Sequence, residues 1–287
     1  MHYVDAKGIL SAQNGMNLYR GCTHGCIYCD SRSKCYGFTH DFEDIEVKRN
    51  APALLRAALR AKRRRCMIGT GSMCDPYLHL EETEQLTRQC LEIIAAEGFG
   101  LSILTKSTRI LRDLDLLKQI HAKSKCVVQM TLTTYDEQLC RILEPNVSTT
   151  RERIEALKIF RDNGIPTIVW LTPILPFLND TEENIRNLLD ACIEAKVWGV
   201  LSFEMGLTLR EGNREYFYAA LDRHFAGMKE KYQRTFGNAY GCISPNAPKL
   251  MQILHETCAA NGIVSDTNEI FAYLQEFSSN ETQLTLL

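Results

Sequence analysis

No stretch of this sequence stays apolar long enough to cross a bilayer. The longest uncharged apolar stretch lies between Asp162 and Asp180 and is interrupted by Pro166, Pro173 and Pro176, so no membrane-spanning helix is expected. The opening residues, Met1-His2-Tyr3-Val4-Asp5, carry neither a basic region nor an apolar run. No signal peptide is therefore expected, and the cytoplasm is the expected compartment. Charge of one sign is also missing. Lys and Arg number 33 against 35 Asp and Glu, a net charge of -2, so no overall basic field announces a nucleic-acid partner. Tandem repeats and low-complexity linkers are absent. What the chain does have is cysteine, 12 in 287 residues, within an ordinary apolar content of 45%. A chain this long buries a large core without disulfide staples. Without export, its cysteines read as thiols or metal ligands.

Apolar β-branched runs alternate with helical patterns along most of the chain. Strands are predicted at Cys66–Thr70, Leu101–Thr105, Lys125–Thr131, Thr167–Thr172 and Gly199–Met205, with one more near Met16–Leu18. Helices are predicted between them at Ala51–Arg65, Leu80–Glu97, Arg109–Ala122, Thr150–Asn163 and Thr181–Ala195. Three helix starts are marked: Asn50 before Pro52, Thr149 three residues before Glu152, and Asp180 three before Glu183. The alternation predicts an α/β fold with a parallel sheet and right-handed crossovers. Six units rather than eight predict a partial (βα)6 TIM-like barrel, with functional loops after the strand C-termini. From Leu209 onward the pattern turns to helices and loops, clearest at Asn246–Asn261 and Thr267–Phe277. The expected division is a barrel core over residues 1–206 and a helical C-terminal extension over 207–287, packed on the barrel and ending in a mobile tail.

Three cysteines share one short segment, Asn17-Leu-Tyr-Arg-Gly-Cys22-Thr-His-Gly-Cys26-Ile-Tyr-Cys29. The C-x3-C-x2-C spacing lets three thiolates converge on one metal centre, and Gly21 and Gly25 let the loop wrap it. Ferredoxin-type cubanes use four protein thiolates, so three leave one iron for a substrate or cofactor. Open catalytic zinc sites follow the same logic. A structural zinc site completed by His24 or Cys35 also fits the spacing, as do three unligated thiols. Cys35 is the natural fourth ligand, although the polar stretch before it suits an ordinary loop cysteine. The other cysteines, including Cys66, Cys90, Cys126, Cys140, Cys192 and Cys258, fall in apolar patterns and read as small buried hydrophobes. Cys242, in Tyr240-Gly-Cys-Ile-Ser-Pro245, is a further site candidate.

The three-cysteine segment, with Tyr28 just before its last cysteine and a partial βα barrel behind it, resembles the radical S-adenosylmethionine (radical SAM) superfamily. Gly69-Thr-Gly-Ser-Met-Cys74-Asp75-Pro76-Tyr77, Leu104-Thr-Lys106-Ser107, Arg112-Asp-Leu-Asp115, Leu143-Glu144-Pro145 and Pro173-Ile-Leu-Pro176-Phe-Leu-Asn179-Asp180 resemble its DNA repair photolyase branch, related to spore photoproduct lyase. The resemblance runs from Lys7 to Asp180 and more weakly beyond. It implies a [4Fe-4S] cluster on Cys22, Cys26 and Cys29 that chelates the amine and carboxylate of SAM. It further implies one-electron reduction, by a donor such as flavodoxin or ferredoxin, that yields a 5'-deoxyadenosyl radical. The cofactor then does the difficult chemistry while the protein orients it and excludes water. By the same resemblance, Lys106 pairs with the SAM carboxylate, Tyr28 lies near the adenine, and Thr131 and Cys74, with Ser72 beside it, make polar contacts. The loop beginning at Pro173 resembles the segment that packs on the adenine. A solvated strand-end lysine and a core tyrosine are the alternatives for Lys106 and Tyr28.

The chain departs from that pattern at Cys74, where relatives place Ser or Thr before Asp-Pro-Tyr. Spore photoproduct lyase has a hydrogen-donating cysteine two residues earlier, where this chain has Ser72. Cys74 is thus a candidate catalytic hydrogen donor, against a neutral exchange of one small residue for another. Thymine-dimer reversal does not carry over. No second cysteine cluster suggests an auxiliary cluster. The basic run Arg56, Arg60, Lys62, Arg63, Arg64 and Arg65 tempts a DNA-binding reading, but it ends a helix on the face opposite the reactive loops. The last residues, Gln283-Leu-Thr-Leu-Leu287, resemble the peptide by which bacterial repair proteins hold the sliding clamp, after a polar tether. Three function classes remain: a radical SAM enzyme acting on damaged DNA, a radical SAM enzyme acting on a peptide or small metabolite, and a non-catalytic zinc module.

Overall fold

A computed structural model describes residues 1–278; the clamp-like segment Gln283–Leu287 lies outside the described residues. Six parallel strands form the central sheet: β1 (Gly15–Met16), β2 (Met67–Thr70), β3 (Gly100–Thr105), β4 (Cys126–Thr131), β5 (Thr167–Trp170) and β6 (Gly199–Leu201). Each pairs with its neighbour in chain order, so successive crossovers wind in one sense and build part of a TIM-like barrel. The crossovers carry helices α1 (Ala51–Ala61), α2 (Leu86–Glu97), α3 (Leu114–Lys123), α4 (Thr150–Asp162) and α5 (Glu182–Glu194). No helix among the described residues is long and apolar enough to cross a membrane.

Period-two alternation divides the strand side chains between two environments. Ile68, Leu101, Ile103, Cys126, Val128, Met130, Val169 and Val200 point outward and pack with the helices in the main core. Met67, Val127, Ile168 and Leu201 point inward and meet Ile270 and Leu274 of the helix Thr267–Gln275. That helix closes the end of the barrel where the strands begin. Trp198 stacks on Tyr273 with ring centroids 3.7 Å apart, and Lys125 Nζ donates to the Tyr273 carbonyl at 2.6 Å. Higher in the barrel, Trp170 Nε1 donates to Gln129 Oε1 and Gln129 Nε2 to Ser102 Oγ, both at 2.7 Å. With its lower half filled, the barrel is open at the strand C-termini.

Several predicted elements end early, each for a local reason. α1 stops at Ala61, before the four consecutive cations Lys62–Arg65, which link it to the base of β2. The expected helix from Leu80 breaks at Gln85, which sits at φ 49°. There the buried Glu81 carboxylate accepts from the Thr87 N–H at 2.8 Å, as a cap would, and also holds Tyr19 and Arg112. The capping box at Thr149 and Glu152 is present. The other two marked caps are not: Asn50 exchanges both amide hydrogen bonds with the Ala6 backbone at 2.9 Å, and Thr181, not Asp180, caps α5. The Asp180 carboxylate is instead held at 2.5 Å by the Ser244 hydroxyl.

Short strands lie outside the barrel. Glu46–Lys48 pairs with His2–Val4 on one side and Tyr19–Arg20 on the other, fixing the entry of the cysteine segment. Beyond β6, Gly206–Thr208 pairs antiparallel with Gly241–Ile243 across the barrel mouth. The helices Asn213–His224 and Met228–Phe236 pack through Phe217, Leu221 and Tyr232 into a second apolar cluster. That cluster also contains Cys26, Ile27, Tyr28, Leu143 and Leu175, so the chain after the barrel braces the cysteine segment from behind.

Candidate active site

The open end of the barrel is a cavity of about 800 Å³, within the range of small-molecule sites. Cys22, Cys26 and Cys29 line it from one side. All 12 cysteines are free thiols. Facing the three are Ser72, Cys74, Lys106, Thr131 and Pro173, together with Tyr28. Every residue singled out for a site role except Cys35 and Cys242 therefore lines one cavity. The Cys242 side chain points the other way, into the second apolar cluster, while its neighbours Gly241 and Ile243 line the cavity. Cys35 is exposed, lies 3.3 Å from Arg210 and is not among the lining residues.

The cysteine segment keeps its shape through backbone and carboxylate contacts rather than through secondary structure. Ile27 N–H donates to the Leu143 carbonyl at 3.0 Å, and Asn146 N–H to the His24 carbonyl at 3.1 Å. Asn146 Nδ2 donates to the Thr23 carbonyl at 2.9 Å. The Leu143-Glu144-Pro145-Asn146 stretch is thus a brace for the loop. A Cβ on Gly25, at φ +72°, would lie 3.1 Å from Pro145 Cγ. Behind the brace, Glu144 and Arg153 form a fully buried ion pair. Tyr28 donates its hydroxyl to the same carboxylate, and Arg153 Nη1 donates to the Thr131 carbonyl at 2.7 Å. Burial raises the Glu144 carboxyl, yet Arg153 and Lys106 outweigh it and hold the group below its usual range. The Tyr28 hydroxyl is thereby committed, and the side chain is 7% exposed where it lines the cavity.

Asp75 joins three parts of the wall. Its Oδ1 accepts from the Tyr77 N–H at 2.8 Å and Thr105 Oγ1 at 2.7 Å. Its Oδ2 accepts from the Lys106 N–H at 2.8 Å and lies 3.5 Å from His24 Nδ1. One carboxylate therefore aligns the loop after β2, the end of β3 and the cysteine segment. Gly71, at φ +99°, is needed for this approach, since a Cβ there would come within 1.9 Å of the Leu104 carbonyl oxygen. β2 ends at Thr70, so Ser72 and Cys74 do not share a strand face as an extended strand would give. Ser72 is exposed in the cavity wall, whereas Cys74 is buried and its thiol lies 2.8 Å from the Gly21 carbonyl. Cys74 also touches Cys22: hydrogen bonding between the two lowers the Cys22 thiol and, with burial, raises Cys74. Burial raises Cys26 and Cys29.

Two features match the donor set of an iron–sulfur and SAM site. First, the three thiols and His24 are not gathered tightly. Among the described residues the one trio of His, Cys, Asp or Glu ligand atoms within 4.8 Å of one another lies elsewhere. Ligands on one tetrahedral zinc ion, at Zn–S of about 2.3 Å, sit roughly 3.8 Å apart. The three thiols and His24 do not form so compact a set. Second, the Lys106 ammonium makes no hydrogen bond or ion pair among the described residues. Burial works against its charge, but Cys26 and Glu144 overcome that and keep it above its usual value.

The rest of the cavity was not visible in the sequence as a site. Trp170, Phe203, Tyr240 and Ile243 add an aromatic and apolar wall to the cavity, in which Arg210 links the Tyr240 hydroxyl to Asp30, next to Cys29. The Trp170 and Phe203 rings meet edge to face at 5.9 Å, and Phe203, Tyr240 and Ile243 are 45%, 52% and 38% exposed. Glu204 stands beside them on the rim. Of the loop beginning at Pro173, only Pro173 itself lines the cavity; Leu175 packs behind it, and Asn179 Oδ1 accepts from the Leu175 N–H at 2.5 Å.

Comparison with known proteins places this arrangement. The radical SAM superfamily matches residues 16–192. An uncharacterized protein of Mycobacterium tuberculosis (strain H37Rv) is 32% identical over 232 residues, which cover 77% of this chain and 66% of that protein. The chain thus spans just under two thirds of the length of this relative. An uncharacterized protein of Methanocaldococcus jannaschii is 35% identical over 181 residues, 62% of this chain and 67% of its own. Among solved structures, spore photoproduct lyase complexed with dinucleoside spore photoproduct superposes with a TM-score of 0.59 at 15% identity, over 90% of this chain and 78% of that one. At that identity the likeness speaks for the fold. The chain belongs to the radical SAM superfamily, whose enzymes work with a [4Fe-4S] cluster and SAM.

Proposed function

We propose that Cys22, Cys26 and Cys29 hold the cluster and that the chain uses SAM to abstract hydrogen from a planar ring, with a damaged nucleobase as the leading substrate. The observation that carries this reading is the convergence, in one cavity, of three spread thiols, an unpaired lysine and an aromatic wall. When bound, cluster and SAM supply a one-electron cleavage that yields a 5'-deoxyadenosyl radical. Lys106 would hold the SAM carboxylate, Ser72 and Thr131 would offer hydroxyls, and Pro173 and Tyr28 would give apolar contact. Cys74 packs the cysteine segment rather than returning hydrogen, because its thiol is buried between Cys22 and the Gly21 carbonyl. A flavodoxin or ferredoxin would deliver the electron.

The aromatic wall favours a flat substrate, since ring faces stack at about 0.5–1.5 kcal/mol per pair beyond area burial. Spore photoproduct lyase, which shares the fold, has been seen with a dinucleoside lesion. Glu204 would accept a hydrogen bond from a ring amino or imide group. The test is a screen in deuterated solvent of damaged oligonucleotides and nucleosides against peptides. Deuterium appearing in a nucleobase product supports the reading; label appearing only in a peptide or small metabolite would replace it.

Lys106→Met should weaken SAM binding about tenfold to a hundredfold, the equivalent of one charged hydrogen bond of roughly 1.5–3 kcal/mol. Isothermal titration of the reconstituted protein measures it. A Kd unchanged by the substitution would return Lys106 to the role of a solvated strand-end residue.

A further inference from the structure

Outside the cavity lining, the three-stranded sheet assembles a second set of ligand-bearing side chains. In the parallel pairing of His2–Val4 with Glu46–Lys48, His2 lies opposite Glu46. The preceding loop brings in His40. One ligand atom each from His2, His40 and Glu46 lie within 4.8 Å of one another. The two imidazoles meet edge to face at 5.0 Å, and Phe38 packs against His40 at 5.7 Å.

The hydrogen bonds of the two rings orient them. His2 Nδ1 lies 3.0 Å from Asp44 Oδ2, and His40 Nδ1 lies 2.9 Å from the Asp41 carbonyl. Both partners are acceptors, so each Nδ1 donates; His40 Nε2 also faces an acceptor, so its hydrogen bond to Glu46, with that to Asp41, holds the His40 ring in the imidazolium form, and a metal ion would take the place of the Nε2 proton. His40 Nε2 faces Glu46 Oε1 at 2.8 Å. An Nδ1–H given to a carboxylate or carbonyl is the outer-shell pattern of metal-binding histidines. Two imidazoles and a carboxylate suit a borderline ion such as zinc, with water in the fourth position.

Arg20 limits the affinity. Its Nη1 lies 3.3 Å from Glu46 Oε1, and its Nη2 is anchored on the Tyr36 and Gly37 carbonyls at 2.8 and 2.9 Å. Glu46 therefore has its second oxygen to offer an ion, next to a fixed cation.

We propose that His2, His40 and Glu46 bind zinc. The ion would tie the first strand to the loop that follows the cysteine segment, stiffening the entry to the site without touching it. The test uses the holoenzyme, reconstituted with iron and sulfide, free of affinity tags, incubated with zinc sulfate and desalted before elemental analysis. Wild type should retain about one zinc per chain, the stoichiometry of a single tetrahedral site. His40→Ala and His2→Ala should each lose it, with cluster iron and 5'-deoxyadenosine formation unchanged. Zinc should also raise the Tm of wild type but not of His2→Ala, a readout that stands if His40→Ala folds poorly. Wild type that retains no zinc overturns the proposal, as does zinc retained equally by both variants, which would place it on the cysteines.

Discussion

Cys26→Ala should leave a protein that reconstitutes without its full iron and sulfide and forms 5'-deoxyadenosine below the detection limit. The same holds for Cys22→Ala and Cys29→Ala, because in the proposed site each thiol would answer one iron and, among the lining residues, Cys74 is the one further cysteine. Cys74 is held against Cys22 and the Gly21 carbonyl, so it is not placed to replace a lost ligand. Cys35 and Cys242 stand outside the lining, and their alanine variants should keep both iron and activity. Iron and sulfide analysis beside a SAM-cleavage assay separates the two groups. Loss of the cluster on replacing Cys35, or its survival on replacing Cys26, would move the ligand set.

The largest effect on stability is expected at Arg153→Met. The Arg153 guanidinium and the Glu144 carboxylate are both wholly buried. Removing the cation leaves Glu144 with the Tyr28 hydroxyl and no compensating charge in contact. Breaking a buried pair in this way typically costs about 3–5 kcal/mol. The urea midpoint of the apoprotein should fall accordingly. Iron retention should fall as well, since Glu144 belongs to the stretch that braces the cysteine segment through Leu143 and Asn146. A Glu144→Gln/Arg153→Met double variant should recover part of the loss, because the uncompensated carboxylate is then gone. A midpoint unchanged in the single variant would mean that the pair contributes nothing.

The barrel was legible because its signal is periodic. Outward residues such as Ile68, Val128 and Val200 sit in apolar runs whose spacing differs plainly from that of the helices between them. The short outer strands, such as His2–Val4 and Gly206–Thr208, have too few residues to show a period, and only pairing with distant partners makes them strands. The helix break at Gln85 was hidden for a similar reason: it depends on Glu81 meeting Tyr19 and Arg112 from elsewhere in the chain. At the site, local spacing marked the cysteines, and resemblance marked Lys106, Thr131 and Pro173. The brace was quoted as Leu143-Glu144-Pro145, but its physical role appears only with Arg153, which in the sequence is one more charged residue on a helix. The aromatic wall draws Trp170, Phe203 and Tyr240 from three separate segments, and no spacing rule links them. His2, His40 and Glu46 escaped notice in the same way.

The most direct test of the account is SAM cleavage by the anaerobically reconstituted chain under reduction by dithionite, with and without substrate. The account predicts a brown [4Fe-4S] protein that converts SAM to 5'-deoxyadenosine and methionine, with Cys26→Ala inactive in the same assay. A protein that carries the full cluster yet leaves SAM intact, or a colourless one that binds zinc at Cys22, Cys26 and Cys29, would contradict it.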